Sequence, residues 1–380
     1  MKKILWLSHE GDLGGANKCL AEQISILNQN KFDVSVIVIR KEEFVQEILK
    51  DVRNIYEIHF YSWATDLKNK FTVAFRLKRV LKNIIAICQI IRIIIKLRPD
   101  YVVTNTISIA VAAVAAKICF TPHVWFIHEF GEEDHGYQVF GGFKRGIRLI
   151  NWLSAKIVFN SKAVQKKYAP YIPIKKMFIS YNPVIIPGIE EIPISNTNYN
   201  PEASVLHCIM LGQIAPSKNH IEALKALVSI RDKYQLAINL HIVGKVVDPR
   251  YYKLLNDFIL NNSLTDKVTI SNYLIHPFDA IRNANVLLMC SRMEAFGRVT
   301  VEALKLGVPV IAANTGGSPE IVDHGINGYL YKAGNPESLA EMIKQLVDSY
   351  SSFDHKEISK KMNEKFNEEI SEQQLLQVFS

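Results

Sequence analysis

Short apolar runs alternate with helical patterns along the first 180 residues of the chain. Lys2–Ser8 ("KKILWLS") reads as a buried strand, and Ala16–Asn30 carries apolar residues at helical spacing. Asp33–Ile39, Pro99–Thr106, His123–Glu129 ("HVWFIHE") and Ala155–Ser161 predict four further strands, with helices over Ile109–Ile118 and Phe143–Leu153. The strands are continuous apolar runs, not alternating ones. Such strands belong to a parallel sheet covered on both faces, because each side of the strand meets a helix.

The pattern breaks at Asn182–Ser204, which holds four prolines and has no periodicity, and which reads as a linker. Alternation then resumes. Strands are expected at Ser204–Gly212, Ile238–Gly244, Lys267–Ser271, Asn285–Ser291 and Val308–Asn314. Helices are expected at Ile221–Tyr234, Arg250–Leu260 and Val299–Leu306, and more helix over 336–380. The fold class expected is α/β, with two Rossmann-like βα domains. Their bounds are 1–184 and 205–350, with a linker at 185–204 and a helical tail at 351–380. A length of 380 residues agrees, at roughly 100–200 residues per domain.

Composition narrows the class. Hydrophobic residues are 48% and charged residues 22%, which excludes a mainly disordered chain. Cys19, Cys88, Cys119, Cys208 and Cys290 lie far apart without a Cys-x-x-Cys pair, against a structural zinc site or a disulfide framework. The apolar start, Ile4–Leu7, is too short for an export signal. Ile84–Leu97 is too short to span a bilayer and carries Arg92 and Lys96. A soluble, cytoplasmic protein is expected.

The net charge of +8 is divided unevenly. Residues 1–185 hold 27 basic and 15 acidic residues, and the remainder 18 and 22. Between Lys68 and Arg98 stand nine basic residues and no acidic one, interleaved with Phe71, Phe75, Ile84, Ile85 and other apolar residues. Two readings of this stretch stay open. It is a helix lying on an anionic membrane surface, or a long helix with one face in the core and a solvated face. No aromatic platform or recognition motif supports nucleic acid as a partner.

Three segments carry candidate chemistry. "HEGDLGGANKCL" (His9–Leu20) follows the first strand and opens the first helix; Gly14 and Gly15 let a ligand approach the backbone. "IMLGQIAPSKNH" (Ile209–His220) ends a strand at Gly212 and brings Lys218, a phosphate-neutralising group, to a helix start. In Ser291–Leu330, Glu294 lies in a loop, Gly297 precedes a helix starting near Arg298–Val299, and Glu302 lies in its first turns. One carboxylate outside a helix start and one inside it suit a ligand with hydroxyls at both ends and a diphosphate between them. His128 closes a strand, where open α/β sheets bind ligands.

The third segment resembles the signature of the family 4 glycosyltransferases, retaining nucleotide-sugar enzymes of the two-domain GT-B fold. Two glutamates separated by seven residues, the intervening "FG", the "EAL" and "PVI" that follow, and the later "GG" and "NG" carry the likeness. "GGAN" and "LGQIAPSKN" resemble the family's N-terminal Gly-Gly loop and its phosphate motif. In the latter, Gln213 stands where many members have arginine.

The resemblance implies two Rossmann-like domains facing a cleft. The C-terminal domain would hold the donor through Gly212, Gln213, Lys218, Glu294, Glu302 and the backbone of Phe296, Gly297, Arg298 and Val299, with Gly15 on the other side. Arg298 is a candidate to replace the missing cation. His128 and Glu294 are the expected catalytic residues, and His9, Asp12 and Gly14 the expected acceptor-side residues. The expected activity is retaining transfer of a sugar from a nucleotide diphosphate-sugar, UDP-sugar first, to a hydroxyl of a lipid-linked or polysaccharide acceptor.

No cofactor is implied beyond that co-substrate. No metal is expected either, since the chain has no Asp-x-Asp pair and Glu132-Glu133-Asp134-His135 reads as a solvated loop. A nucleotide-sugar epimerase on the same plan and a non-catalytic nucleotide-sugar-binding protein are the alternatives.

Overall fold

The computed structural model describes residues 1–8, 15–40, 49, 52–66, 73–138, 142–189, 199 and 205–380. The chain divides into two compact units, Met1–Ile185 with Glu368–Ser380, and Ile186–Asn367. Most of the stretch read as a linker (190–198 and 200–204) lies outside the described residues.

The first unit is a seven-stranded parallel sheet. Its strands are β1 (Lys3–Leu7), β2 (Asp33–Val38), β3 (Asn54–Glu57), β4 (Tyr101–Thr104), β5 (His123–Ile127), β6 (Lys156–Phe159) and β7 (Met177–Ile179). They lie in the order β3-β2-β1-β4-β5-β6-β7. In β1, Ile4 and Trp6 enter one apolar cluster while Leu5 and Leu7 enter another. Successive side chains point to opposite faces, so a strand with a core on each side must be apolar throughout. The helices are α1 (Gly15–Gln29), α2 (Val73–Leu97), α3 (Val111–Ile118), α4 (Phe143–Leu153) and α5 (Lys162–Tyr168). Ala86, Ile90 and Ile94 of α2 pack with α3 on one face of the sheet, while α1 covers the other.

The second unit repeats the plan with six parallel strands. They are β8 (Leu206–Leu211), β9 (Ile238–Val243), β10 (Val268–Ser271), β11 (Val286–Met289), β12 (Val310–Ala313) and β13 (Gly328–Tyr331). Their order is β10-β9-β8-β11-β12-β13. Helices α6 (His220–Ser229), α7 (Pro249–Asn261), α8 (Arg298–Lys305), α9 (Pro336–Asp348) and α10 (His355–Lys365) belong to this unit.

Several expectations shift. β3, β7 and β13 close sheet edges; they are three or four residues long, and β3 and β7 are only half-buried, so their apolar signal is weak. The tail is not one body. α10 stays with the second unit, where Ser359 Oγ donates to Lys305 O at 2.6 Å. The final helix α11 (Glu368–Phe379) returns to the first, adding Leu375, Val378 and Phe379 to the cluster around Trp6. Lys156 Nζ reaches Val378 O at 2.5 Å. These apolar residues finish the covering of a sheet face that α1 alone leaves open. Glu132–His135 is a helical turn, not a loop: Asp134 accepts from the N–H groups of Phe130 and Gly131, both at 2.7 Å, and Glu133 pairs with Lys167.

Candidate functional site

Neighbouring strands β8 and β11 in the second unit are where the order reverses, and loops leaving such a pair open a crevice at the carboxyl edge. The loop after β8 carries Lys218 and the loop after β11 carries Glu294. Pro216–Lys218 forms a 3₁₀ turn begun by proline, and Asn219, at φ +55°, turns the chain left-handed before α6 begins. Glu222 steadies this corner: its carboxylate accepts from Asn219 Nδ2 and, at 3.0 Å, from Gly334 N. Arg292 N donates to Ser217 O at 3.0 Å, tying the two loops together.

Lys218 Nζ lies 2.8 Å from Glu294 Oε2. The two expected ligand groups thus meet at the switch point, 76 residues apart in sequence. The loop after β12 backs this contact. Gly317 N donates to Glu294 O at 2.7 Å, and a Cβ on Gly316 (φ +58°) would stand 2.1 Å from the same oxygen. Only glycine fits there.

Gly297, at φ +96°, makes the turn into α8. The first N–H groups of an α-helix have no intrahelical acceptor and favour anions, so the backbone of 296–299 is the expected diphosphate seat. The Phe296 ring is turned into the core, 5.7 Å from that of Phe366. Thr300 Oγ1 is fully buried beside Gly297 without a hydrogen-bond partner. Glu302 is 5% exposed and pairs with Arg298 Nε at 2.9 Å. Arg298, the candidate to replace the missing cation, thus has its guanidinium on the Glu302 carboxylate. Gln213 is exposed and Gly212 packs against the Lys218 stem.

The order in the first unit reverses between β1 and β4. His9, Asp12 and Gly14, on the loop after β1, lie outside the described residues; Gly15 opens α1. His128 sits just beyond β5, its Nε2 2.9 Å from Asn105 Oδ1. An amide oxygen only accepts, so Nε2 carries the hydrogen and Nδ1 is the acceptor in the neutral ring. Glu129, 7% exposed, accepts from Thr106 Oγ1 (2.6 Å), Ile107 N (3.2 Å) and His128 N (3.1 Å). It holds the loop after β4 against the His128 corner. Sequence reasoning passed over Asn105 and Glu129. The available signal was polar residues directly following apolar strands.

Burial lowers four of the described histidines, His241 and His355 among them. His123 is held down at about 3 by desolvation, and His220 at about 4 by desolvation and then by Lys218. Among the described residues, no group of three or more His, Cys, Asp or Glu is arranged to hold a metal ion.

Residues 13–186 match Glycosyltransferase Family 4, and residues 200–369 match Glycosyl transferases group 1. The chain belongs to the group 1 glycosyltransferases. An uncharacterized glycosyltransferase of Methanocaldococcus jannaschii is 31% identical over 37% of this chain and 38% of its own. The N-acetyl-alpha-D-glucosaminyl L-malate synthase of Bacillus anthracis is 29% identical over 33% of this chain and 31% of its own. The matched stretches thus span well under half of those relatives. Anabaena HepE, solved with UDP-glucose, superposes with a TM-score of 0.79 at 19% identity, over 100% of this chain and 99% of that one. The fold of this glycosyltransferase family member is therefore the two-domain GT-B fold that the sequence resemblance implied.

Proposed function

We propose that the protein is a metal-independent, retaining glycosyltransferase that uses a UDP-sugar. The observation that carries this reading is the Lys218–Glu294 contact at the switch point, beside the start of α8. Lys218 and the backbone of 296–299 take the diphosphate, Glu302 the ribose diol and Glu294 the hydroxyls of the sugar. In the first unit, His128 bonds a sugar hydroxyl or the phosphate. The bond from the anomeric carbon to the diphosphate breaks with its electron pair going to UDP. The acceptor oxygen bonds to that carbon on the same face, and its proton ends on the departing diphosphate. Fixed positive charge at Lys218 and α8 stabilises the leaving group. The UDP-glucose held by the HepE structure supports the donor class. The acceptor is a lipid-linked or polysaccharide hydroxyl, on the grounds of the basic first half of the chain.

A panel of nucleotide-sugars scored by thermal stabilisation tests the donor, since a ligand at 100 times its Kd adds about 2.7 kcal/mol. UDP-sugars are expected to stabilise, and Glu294→Ala is expected to fold and to lose transfer. A panel without any response removes the donor reading. Turnover of a UDP-sugar to its epimer without acceptor replaces transfer by epimerisation.

A further inference from the structure

Helix α2 carries leucine and isoleucine on its outer side as well as on the side in the core. Ala86, Ile90 and Ile94 are buried, whereas Leu77, Leu81, Ile84 and Ile95 are between 52% and 65% exposed. At 100° per residue, Leu77, Leu81, Ile84, Cys88 and Ile95 fall within about 40° of one line along the outer side. That line runs about 27 Å at 1.5 Å per residue. Exposed cations border it on one side: Arg92 next to Leu81 in angle, then Lys78 and Lys96, then Lys82. No acidic residue occurs from Val73 to Leu97. Arg79 is not part of this rim; it is half-buried and donates to Ser62 O.

A second observation lies where α2 ends. Helices α2, α3 and α4 lead into β4, β5 and β6, which are neighbours in the sheet, so all three helices finish at one edge. There Phe120 is 95% exposed in a left-handed conformation (φ +56°), and Trp152 is 61% exposed with Lys117 Nζ 4.8 Å from its ring. Exposed aromatic residues beside lysines suit a headgroup layer.

We propose that the outer face of α2, continued by Phe120 and Trp152, is a docking surface for an anionic lipid bilayer. Charge selects the occupant. A second copy would set these cations against themselves, while anionic headgroups neutralise them as the apolar line enters the acyl boundary. The helix lies on the membrane instead of crossing it: no helix among the described residues is long and apolar enough to span. The proposal deepens the lipid-linked acceptor reading and rests on it only for its purpose, which is to bring the first unit to an acceptor in the bilayer.

The test is co-sedimentation of the full chain with vesicles of phosphatidylcholine alone or mixed with phosphatidylglycerol, alongside UDP titration of the same preparations. Binding is expected only to the mixed vesicles, weakening as salt rises. Lys78→Glu/Lys82→Glu and Leu81→Ser/Ile84→Ser are each expected to lower partition at least tenfold while UDP affinity is unchanged. Protein that binds UDP but stays in the supernatant with mixed vesicles at low salt overturns the surface and leaves the donor reading standing. Vesicle binding without UDP binding does the reverse. Partition unaltered in both variants, or a dimer that Leu81→Ser/Ile84→Ser dissolves, also overturns the proposal.

Discussion

Replacing Lys218 by alanine tests the electrostatics of the donor site. Its side chain is 31% exposed and that of its partner Glu294 17%, so the ion pair adds only about 0–1 kcal/mol to folding. The melting temperature of the variant should barely move. Binding is another matter. A phosphate about 4 Å from an ammonium gains about 4 kcal/mol at an effective dielectric constant of 20, before the competing Glu294 and water take their share. Gln213 is uncharged and Arg298 is engaged with Glu302, so Lys218 is the cation assigned to the phosphate. The expected net loss is about 2–4 kcal/mol, or roughly a thirtyfold to thousandfold weaker Kd for UDP. The truncation also leaves the Glu294 carboxylate facing the diphosphate. Lys218→Ala/Glu294→Gln should therefore bind UDP more tightly than Lys218→Ala alone. Isothermal calorimetry measures all four members of the cycle. Equal UDP affinity in wild type and Lys218→Ala would refute the assignment of Lys218 to the phosphate.

Gly316→Ala places a Cβ 2.1 Å from Glu294 O and forces a positive φ on alanine, so it should cost more than about 1 kcal/mol in urea unfolding and displace the Glu294 loop; an unchanged midpoint would show that the loop can move aside. Stability should fall with acid: His123 and His220 titrate near 3 and 4 when folded but near 6.5 when unfolded. Between those limits the unfolded chain binds the extra protons. The contribution is complete above pH 6.5 and is lost as pH falls toward 4, at up to about 1.4 kcal/mol per pH unit for each histidine. Thermal melts from pH 7 to 4 check this, with His123→Gln expected to flatten the curve. Transfer should survive excess EDTA; activity lost to chelator and restored by magnesium or manganese would contradict the metal-independent assignment.

Much of the architecture is written locally. A strand buried on both faces reads as a nearly continuous apolar run, so β1 and β2 are legible from the chain alone, as are the glycines and carboxylates clustered around α8. Other features depend on which distant segments meet. Lys218 and Glu294 pair because β8 and β11 are neighbours, an adjacency that no local pattern records. Asn105 and Glu129 serve His128 because β4 lies beside β5. The last helix joins the first unit because a face of that sheet lacked cover. The outer face of α2 shows the same limit most directly. Leucine and isoleucine stand on more than one side of this helix, so its sequence marks no single core face, and only packing determines that Ala86, Ile90 and Ile94 face the sheet while Leu77, Leu81 and Ile84 face outward.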